Sequence, residues 1–259
     1  MKIVVKIGTS SLTYKSGHLN IRAVEQLCKV LSDLKNAGNE IILVSSGAIA
    51  MGVGKLQLRG KPEDLPGKQA AAAVGQCELM YIYDKLFSEY NHTVGQILLT
   101  ADDISDPGRF ENFRNTINRL LEMKVLPIIN ENDTLGTNEI RIGDNDNLGA
   151  MVAVSVGADL MVILTDTDGL YTADPSKDPD SVLIKKVAVI TPEIEALAGG
   201  TAGTQGTGGM ATKVEAAVTV TEAGTDMVIT NGKDVSVLYD IIEGRDYRGT
   251  LFCGRKDIS

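Results

Sequence analysis

Short apolar stretches rich in β-branched residues recur along the whole chain, and this rhythm constrains the fold more than any other feature of the sequence. Each stretch is four to eight residues long and is apolar at most positions. The stretches are residues 2–7, 41–44, 94–99, 125–129, 160–164, 227–230 and 235–242. Continuous apolar runs of this length are typical of strands that are buried on both faces. The sequence therefore predicts a central sheet that is covered on both sides.

Amphipathic helical patterns fill most of the intervals between these strands. The clearest pattern follows Asn20, a residue type that caps helices, and has apolar residues at helical spacing from Ile21 to Leu34 before Gly38 ends it. Further helices are predicted over residues 68–90, 109–123, 147–156 and 210–222. Strands that alternate with helices predict a mostly parallel sheet with helices on both faces, which is a three-layer αβα sandwich of the α/β class.

Chain length and the distribution of turn residues predict one domain with two lobes. A chain of 259 residues is longer than one average domain and shorter than two. Turn residues are dense between 170 and 205, but the helical pattern that follows is amphipathic and needs a partner surface. We therefore expect a single domain, 1–259, with approximate lobes at 1–165 and 166–259.

Charge and cysteine content narrow the classes of partner and compartment. The chain has 25 Lys and Arg residues against 34 Asp and Glu, and its formal charge of -9 opposes binding to a phosphate backbone. No stretch approaches the roughly 18 apolar residues of a membrane span. The three cysteines are far apart and form no C-x-x-C pair, which predicts free thiols in a reducing cytoplasm. We expect neither a nucleic acid nor a membrane as partner.

Two turns that follow predicted strands are rich in small residues. Lys6 precedes Gly8-Thr9-Ser10-Ser11, and the second strand is followed by Ser45-Ser46-Gly47-Ala48 at the start of another helix. Open α/β sheets bind ligands beyond the carboxyl ends of their strands, and free backbone N–H groups at helix starts bind phosphate or carboxylate. The same residue types also make ordinary tight turns and helix caps, so that interpretation stays open for either turn alone.

Acidic and amide side chains are concentrated in two segments. Asn130-Glu131-Asn132-Asp133 follows a predicted strand, and Gly143-Asp144-Asn145-Asp146-Asn147 lies at a helix start. Such groups suit a polar zwitterionic substrate or Mg²⁺, although solvated caps and Asx-turns use the same residue types. The second segment is not a calcium loop, because the fifth and twelfth positions counted from Asp144 are Leu148 and Ser155.

A glycine-rich segment precedes the predicted helix at residues 210–222. It is Thr207-Gly208-Gly209-Met210-Ala211-Thr212-Lys213, with the lysine one turn inside the helix. Backbone N–H groups there can bind polyphosphate while the ammonium group neutralises its charge. Residues 206–211 also match the dinucleotide pattern G-x-G-x-x-A, but the residues before them do not form the strand that this fingerprint requires. A dehydrogenase is therefore a weak alternative.

Lys6 and Lys213 lie beside glycine-containing turns at opposite ends of the chain, and an α/β sheet can bring those ends together. Two cations on one phosphoryl group are typical of a kinase, because phosphoryl transfer depends mainly on alignment and on neutralising the charge of the moving group. A carboxylate acceptor is already ionised at neutral pH and needs no general base. The scarcity of histidine, with only His18 and His92, is consequently no argument against a kinase.

Seven motifs occur together in one order along the chain. They are Val5-Lys6-Ile7-Gly8-Thr9-Ser10, Val44-Ser45-Ser46-Gly47-Ala48-Ile49-Ala50, Asn130 to Asp133, Gly143 to Asn147, Leu164-Thr165-Asp166, Gly169-Leu170-Tyr171-Thr172-Ala173-Asp174-Pro175 and Thr207 to Lys213. Together they resemble the glutamate 5-kinases of the amino acid kinase family, from residue 2 to about residue 252.

The resemblance implies the amino acid kinase fold and a phosphotransferase with a carboxyl group as acceptor. The implied reaction is ATP-dependent phosphorylation of the γ-carboxylate of L-glutamate to L-glutamyl 5-phosphate, the first step of proline biosynthesis. ATP is implied as its Mg²⁺ complex. The acceptor side is expected in lobe 1–165 and the ATP side in lobe 166–259.

The resemblance also implies roles for individual residues. Lys6 would bind the ATP phosphates and the transferred phosphoryl group, Lys213 would meet that group from the nucleotide side, and Asp146 would hold both lysines. The glutamate-binding positions are matched by Ser46, Asp133 and Asn145. The nucleotide-contacting positions are matched by Lys6, Gly8, Thr165, Asp166, Thr207, Gly208, Gly209, Met210, Ala211, Thr212 and Lys213. No metal ligand is assigned.

Many bacterial members of this group continue into a C-terminal PUA domain, whereas this sequence ends at Ser259, so we expect the form without that domain. Feedback inhibition by proline and a homo-oligomer, either dimer or tetramer, are further implications. One alternative is a kinase of the same fold for acetylglutamate, aspartate, carbamate or a nucleoside monophosphate. Another is a nucleotide-binding regulatory or storage protein without turnover, which the presence of both Lys6 and Lys213 disfavours.

Overall fold

One mostly parallel sheet organises the part of the chain that the computed structural model describes, which is residues 1–14, 16, 18–136, 145–199 and 209–255. Within these residues the sheet has eight strands. They are β1 (Lys2–Ile7), β2 (Glu40–Val44), β3 (Val94–Leu99), β4 (Leu126–Glu131), β5 (Leu160–Thr165), β6 (Lys186–Val187), β7 (Asp226–Asn231) and β8 (Gly249–Phe252). Their order is β3-β4-β2-β1-β5-β7-β8-β6, and each neighbouring pair is parallel except β7 and β8.

Helices cover both faces of this sheet. They are α1 (Thr9–Leu12), α2 (Ile21–Asn36), α3 (Ala48–Lys55), α4 (Leu65–Ser88), α5 (Ala101–Ser105), α6 (Pro107–Glu122), α7 (Asn145–Val156), α8 (Pro192–Ala198), α9 (Met210–Glu222) and α10 (Val237–Ile242). The core on one face contains buried residues of α2, α4 and α10, and the core on the other face contains buried residues of α6, α7 and α9. The predicted three-layer αβα sandwich is therefore confirmed.

The central strand β1 shows how one apolar run contributes to both cores. Ile3, Val5 and Ile7 belong to the core that contains α2 and α4, whereas Val4 belongs to the core that contains α7 and α9. Successive side chains of a strand point to opposite faces, so Lys6 shares the face of Val4. The ammonium group of Lys6 is thereby directed toward α7 and α9 at the carboxyl end of a buried strand.

One predicted strand is wrong. Residues 235–242, read as a buried strand, form the end of a loop and helix α10. Val235 and Leu238 are the buried members of this run, and their separation of three residues is that of neighbours on one helix face. The strands β6 and β8 were not predicted, because strands of two and four residues carry too little apolar pattern to stand out.

The sheet continues across the predicted lobe boundary. β5, which ends at Thr165, pairs with β7 from Leu160↔Asp226 to Thr165↔Asn231. The division into an acceptor lobe and a nucleotide lobe stays a prediction. Every helix in the described ranges is too short or too polar to cross a bilayer.

Candidate active site

The carboxyl ends of β1, β2, β4 and β5 meet at one edge of the sheet, because these strands are parallel and adjacent. Gly8 follows β1, Ser45 and Ser46 follow β2, and Thr165 ends β5. The Gly8 N–H group donates to the carbonyl oxygen of Leu164 at 3.1 Å, which holds the turn after β1 against β5. The chain continues from β1 to β2 on one side and later returns to β5 on the other. Such a reversal of strand order is where open α/β sheets bind ligands.

Two lysines and one aspartate form a buried charged cluster at this edge. Lys6 Nζ lies 2.6 Å from Asp146 Oδ1, and Lys213 Nζ lies 3.1 Å from Asp146 Oδ2. The side chain of Asp146 is fully buried, and each lysine side chain is 5% exposed. The three residues come from β1, α7 and α9. Two lysines from opposite ends of the chain therefore share one carboxylate, and we call these residues the charged cluster.

The close approach of α7 to β1 explains how Asp146 reaches Lys6. Gly149 lies one turn after Asp146, and a Cβ atom at this position would lie 2.7 Å from Met161 Cε and 3.6 Å from Lys6 Cβ. Since glycine has no side chain, the helix packs directly against the strand. The first turn of α7 consequently places its carboxylate beside the ammonium group of Lys6.

The charged cluster combines an ionised carboxylate with two ammonium groups. Burial by itself would raise the pKa of Asp146, but the attraction and hydrogen bonds of Lys6 and Lys213 outweigh that effect and hold the pKa below its ordinary value. Both ammonium groups contact the carboxylate of Asp146 in a region shielded from water. This arrangement suits an anionic group such as a phosphoryl group.

The start of α9 connects the charged cluster to the glycine-rich segment. Gly209 caps the helix, and Thr212 Oγ1 lies 2.9 Å from the Gly209 carbonyl oxygen and 3.3 Å from Asp146 Oδ2. The hydroxyl group of Thr212 therefore links the first turn of α9 to the carboxylate that holds both lysines. The predicted residues Thr207 and Gly208 lie outside the described residues.

A second cluster at the same edge is uncharged. Asn145 Nδ2 lies 2.7 Å from the carbonyl oxygen of Ser45, 2.8 Å from Ser46 Oγ and 3.0 Å from Asn130 Oδ1. Asn130 Nδ2 in turn donates a hydrogen bond to Gln76 Oε1 on α4 at 2.8 Å. We call these five residues the amide network. It joins α4, β4, the turn after β2 and the start of α7.

Sequence reasoning missed Gln76. The residue lies in a helix whose preceding residues, 70–75, are all Ala, Val or Gly. A single amide in such a small apolar stretch is the signal that could have identified it. Sequence reasoning also missed Tyr83, which lies about two helical turns after Gln76 on α4 and is fully buried. Its hydroxyl oxygen lies 2.9 Å from Ser45 Oγ. Burial raises the pKa of this tyrosine, so its hydroxyl stays protonated.

Asp133 lies in the turn that follows β4 and is half-buried. The Gly136 N–H group donates to the Asn132 carbonyl oxygen at 2.9 Å, and Gln69 Nε2 on α4 donates to the Gly136 carbonyl oxygen at 3.2 Å. The turn is therefore fixed to the same helix that carries Gln76. Residues 137–144, which include part of the second polar segment, lie outside the described residues.

Thr165 and Asp166 lie on the other side of β1 from the amide network. Thr165 Oγ1 donates to Asp166 Oδ1 at 3.2 Å, and the Gly232 N–H group donates to the Thr165 carbonyl oxygen at 2.7 Å. Thr165 is buried and Asp166 is exposed. The turns after β5 and β7 are therefore bonded to each other at the carboxyl edge. Among the described residues, no group of three or more His, Cys, Asp or Glu side chains is placed to hold a metal ion.

A groove of about 850 Å³ opens beside these two turns. Its wall includes Asp168, whose Oδ1 accepts from Asn231 Nδ2 at 2.9 Å and whose Oδ2 lies 2.7 Å from Arg248 Nε. Burial opposes ionisation of Asp168, but hydrogen bonds from Asn231, Tyr171 and Arg248 hold its pKa below the ordinary value. Sequence reasoning missed Asp168, Asn231 and Arg248, although Asn231 ends a strand at the carboxyl edge and is the register partner of Thr165.

Comparison with known proteins gives matches over nearly the whole chain. The model of the amino acid kinase family matches residues 1–231. A glutamate 5-kinase of Clostridium perfringens (strain 13 / Type A) is 50% identical over 98% of this chain and 96% of the relative. A glutamate 5-kinase of Moorella thermoacetica is 49% identical over 98% of this chain and 67% of the relative.

Solved structures share the fold at much lower identity. Carbamate kinase from Giardia lamblia bound to AMP-PNP has a TM-score of 0.68 and 17% identity, over 97% of this chain and 98% of that chain. An isopentenyl phosphate kinase product complex from T. acidophilum has a TM-score of 0.67 and 19% identity, over 97% of this chain and 100% of that chain. At such identities the likeness establishes the fold alone. Fold, family model and curated relatives agree, and the chain therefore belongs to the amino acid kinase family, among its glutamate 5-kinases.

Proposed function

We propose that this chain transfers the γ-phosphoryl group of ATP to the γ-carboxylate of L-glutamate, giving L-glutamyl 5-phosphate and ADP, the first step of proline biosynthesis. The observation that carries the proposal is the charged cluster, in which Lys6 and Lys213 share Asp146 between the acceptor segments and the nucleotide segments. The membership of the chain among glutamate 5-kinases selects the acceptor.

The chemistry needs neutralisation of charge more than proton transfer. A carboxylate oxygen of glutamate forms a bond to the γ-phosphorus, while the bond from that phosphorus to the β–γ bridging oxygen breaks and ADP leaves. The acceptor has a reference pKa near 4.3 and is ionised at neutral pH, so no base is required. The main obstacle is repulsion between two anions. Lys6 and Lys213 reduce that repulsion by placing positive charge on the transferred group.

Asp146 is proposed to position the two lysines and to remain ionised. A carboxylate between them keeps their ammonium groups at fixed places before either substrate binds. The low pKa of Asp146 means that it does not accept a proton during the reaction. Its role is therefore structural support of the two cations.

The acceptor is proposed to bind at the amide network and the turn after β4. Ser46 and Asn145 offer hydrogen bonds to its carboxylate groups, and the carboxylate of Asp133 offers a partner for its ammonium group. A zwitterion needs partners of both kinds, and these residues supply them on the side of β1 that carries β2 and β4.

The nucleotide is proposed to bind on the opposite side of β1, as its Mg²⁺ complex. The first turn of α9, with Gly209, Met210 and Ala211, presents backbone N–H groups that have no acceptor within the helix. Gly8 lies in the adjoining turn after β1, where its own N–H group is bonded to Leu164. Thr165, Asp166 and Thr212, with Thr207 and Gly208 beyond the described residues, complete the proposed nucleotide segment. The groove lined by Asp168 and Asn231 continues from it and has room for the rest of the nucleotide. Inhibition by proline and assembly into a dimer or tetramer stay predictions.

The test is an ATP-dependent assay with four acceptors: L-glutamate, N-acetylglutamate, aspartate and UMP. Hydroxylamine traps an acyl phosphate as a hydroxamate, and ADP release is measured in parallel. We expect hydroxamate and ADP from L-glutamate only. Product from another acceptor, with none from glutamate, would refute the assigned substrate while keeping the kinase. ADP release independent of every acceptor would refute phosphoryl transfer to a carboxylate.

A further inference from the structure

Gln76 lies on α4 behind the predicted acceptor residues and is 7% exposed. Its place is fixed by the contact between α3 and α4. A Cβ atom on the neighbouring Gly75 would lie 1.8 Å from the Ala48 carbonyl oxygen at the start of α3. Because α3 begins directly after Ser46 and Gly47, this contact sets the distance between Gln76 and the turn that carries Ser46.

Hydrogen bonds fix the orientation of the amides in the network. Asn130 Oδ1 accepts from the Glu131 N–H group at 2.9 Å, and that group can only donate. Asn130 Nδ2 must therefore point to Gln76, which meets it with Oε1 at 2.8 Å. At the other end, Asn145 Nδ2 points to the carbonyl oxygen of Ser45 at 2.7 Å, which can only accept.

This orientation determines what the hydroxyl group of Ser46 can do. Ser46 Oγ accepts a hydrogen bond from Asn145 Nδ2 at 2.8 Å. A hydroxyl oxygen that accepts from an amide directs its own hydrogen elsewhere, and Ser46 is 8% exposed at the carboxyl edge of the sheet. If the Asn145 amide were reversed, its oxygen would take the hydrogen of Ser46. The network therefore keeps this hydroxyl group as a donor.

We propose that Gln76 is a positioning residue for acceptor binding: by accepting from Asn130 Nδ2 it holds Asn130, and through it Asn145, where the hydroxyl group of Ser46 stays a hydrogen-bond donor to a carboxylate of the acceptor. Gln76 acts through the network and does not touch the substrate. The identity of the acceptor rests on the proposed function, whereas the direction of the hydrogen bonds rests on the contacts from α4 to Ser46.

The experiment is a double-mutant cycle of Gln76→Met and Ser46→Ala, with the KM for glutamate, the KM for ATP and kcat measured for each protein. Gln76→Met removes the acceptor for Asn130 Nδ2 and leaves that buried N–H group unpaired, so the side chain of Asn130 is expected to shift relative to Asn145. We expect the KM for glutamate to rise about tenfold, with kcat and the KM for ATP within about twofold of wild type. The double variant should lie within about twofold of Ser46→Ala, because Gln76 acts through that hydroxyl group.

Two variants separate this role from a purely structural one. Gln76→Glu keeps an acceptor oxygen at the same position and should keep the KM for glutamate within about threefold of wild type. Gln26→Met removes an exposed amide that donates to Asp234 Oδ1 at 3.1 Å, far from the network along the sequence, and should change none of the constants. If Gln76→Met does not fold, Gln76→Asn replaces it, because the shorter side chain draws the oxygen away from Asn130.

Three results would overturn the proposal: an unchanged KM for glutamate in the Gln76 variant, a tenfold rise in Gln76→Glu, or rises that multiply in the double variant. An equal loss for glutamate and ATP would show that Gln76 only supports the fold. The proposed function fails separately, when the wild-type protein gives no hydroxamate from glutamate, and then the proposal for Gln76 falls with it.

Discussion

The charged cluster and the amide network lie at the same edge of the sheet and are both largely buried, but one is charged and the other is neutral. The charged cluster places Lys6 and Lys213 on Asp146, whereas the amide network connects Gln76 to Ser46 through neutral amides. The attraction between an ammonium group and an anion depends only weakly on direction. A hydrogen bond between amides, in contrast, requires each donor to point at an acceptor. This difference fits the roles proposed for them, in which the first cluster serves the moving phosphoryl group and the second serves recognition of the acceptor.

The largest effect is expected from Lys213→Ala in the charged cluster. We expect kcat to fall by roughly 10² to 10⁴, because one electrostatic contact to the transferred group is lost. Steady-state kinetics with glutamate and ATP provide the measurement. Lys55→Ala is the matched control, since Lys55 forms an exposed pair with Glu78 at 2.8 Å and should leave kcat unchanged. If Lys213→Ala kept the kcat of the wild-type protein, the charged cluster would not have the proposed role in phosphoryl transfer.

Asp146→Asn tests whether the charged cluster depends on its carboxylate for stability. The substitution removes the buried carboxylate that both ammonium groups contact, and we expect the free energy of unfolding to fall by about 3 to 5 kcal/mol. Urea denaturation measures the change. Asp168→Asn, which breaks the pair of a partly buried carboxylate with the exposed guanidinium group of Arg248, should cost less, about 1 kcal/mol. Equal losses in both variants would contradict the assignment of Asp146.

Gly75→Ala tests the packing that supports the amide network. The added methyl group would lie 1.8 Å from the Ala48 carbonyl oxygen, so α3 and α4 must separate. We expect a loss of about 1 to 3 kcal/mol in the free energy of unfolding, with a raised KM for glutamate because Gln76 moves with α4. Gly60→Ala has open space around its Cβ position and is the control. If Gly75→Ala raised the KM for ATP and not the KM for glutamate, the amide network would belong to the nucleotide site and not to the acceptor site.

Asp133→Ala should mainly raise the KM for glutamate, by about tenfold, because a partner for the ammonium group is lost from the proposed acceptor site. The change in kcat should be small, since Asp133 lies outside the charged cluster. Kinetics at saturating ATP test this separation of KM from kcat. An unchanged KM would refute the proposed binding role of Asp133.

The smallest effect concerns pH and applies to the charged cluster alone. The pKa of Asp146 is lowered on folding from an ordinary value of 3.8, so its contribution to stability is complete above that value and is lost as pH falls through the folded pKa. We expect the wild-type protein to lose stability below about pH 4 and Asp146→Asn to lack that part of the decline. Urea titrations from pH 7 to 3 provide the measurement. Identical pH profiles for the two proteins would contradict the lowered pKa.

Residues with a strong local signal were predicted correctly, and residues defined by long-range contacts were missed. Helix α2 begins after Asn20, whose side chain accepts from the Ala23 N–H group at 3.4 Å, as its cap pattern indicated. Residues 235–242 were wrongly predicted as a strand, because an apolar run of eight residues fits a buried strand and a short helix equally well. Gln76 was missed because its partner Asn130 lies on a strand 54 residues later.

The sequence by itself determined the layered α/β architecture, the family and the two lysines, because apolar periodicity, capping residues and motif order are properties of neighbouring residues. Only the tertiary structure decided that Lys6 and Lys213 contact different oxygens of the Asp146 carboxylate, and that Gln76 accepts a hydrogen bond from Asn130 in the network around Ser46. Those facts depend on strand order and on the close packing of α3 against α4 and of α7 against β1. Distances between residues far apart in the chain are set by the packing of all the elements between them.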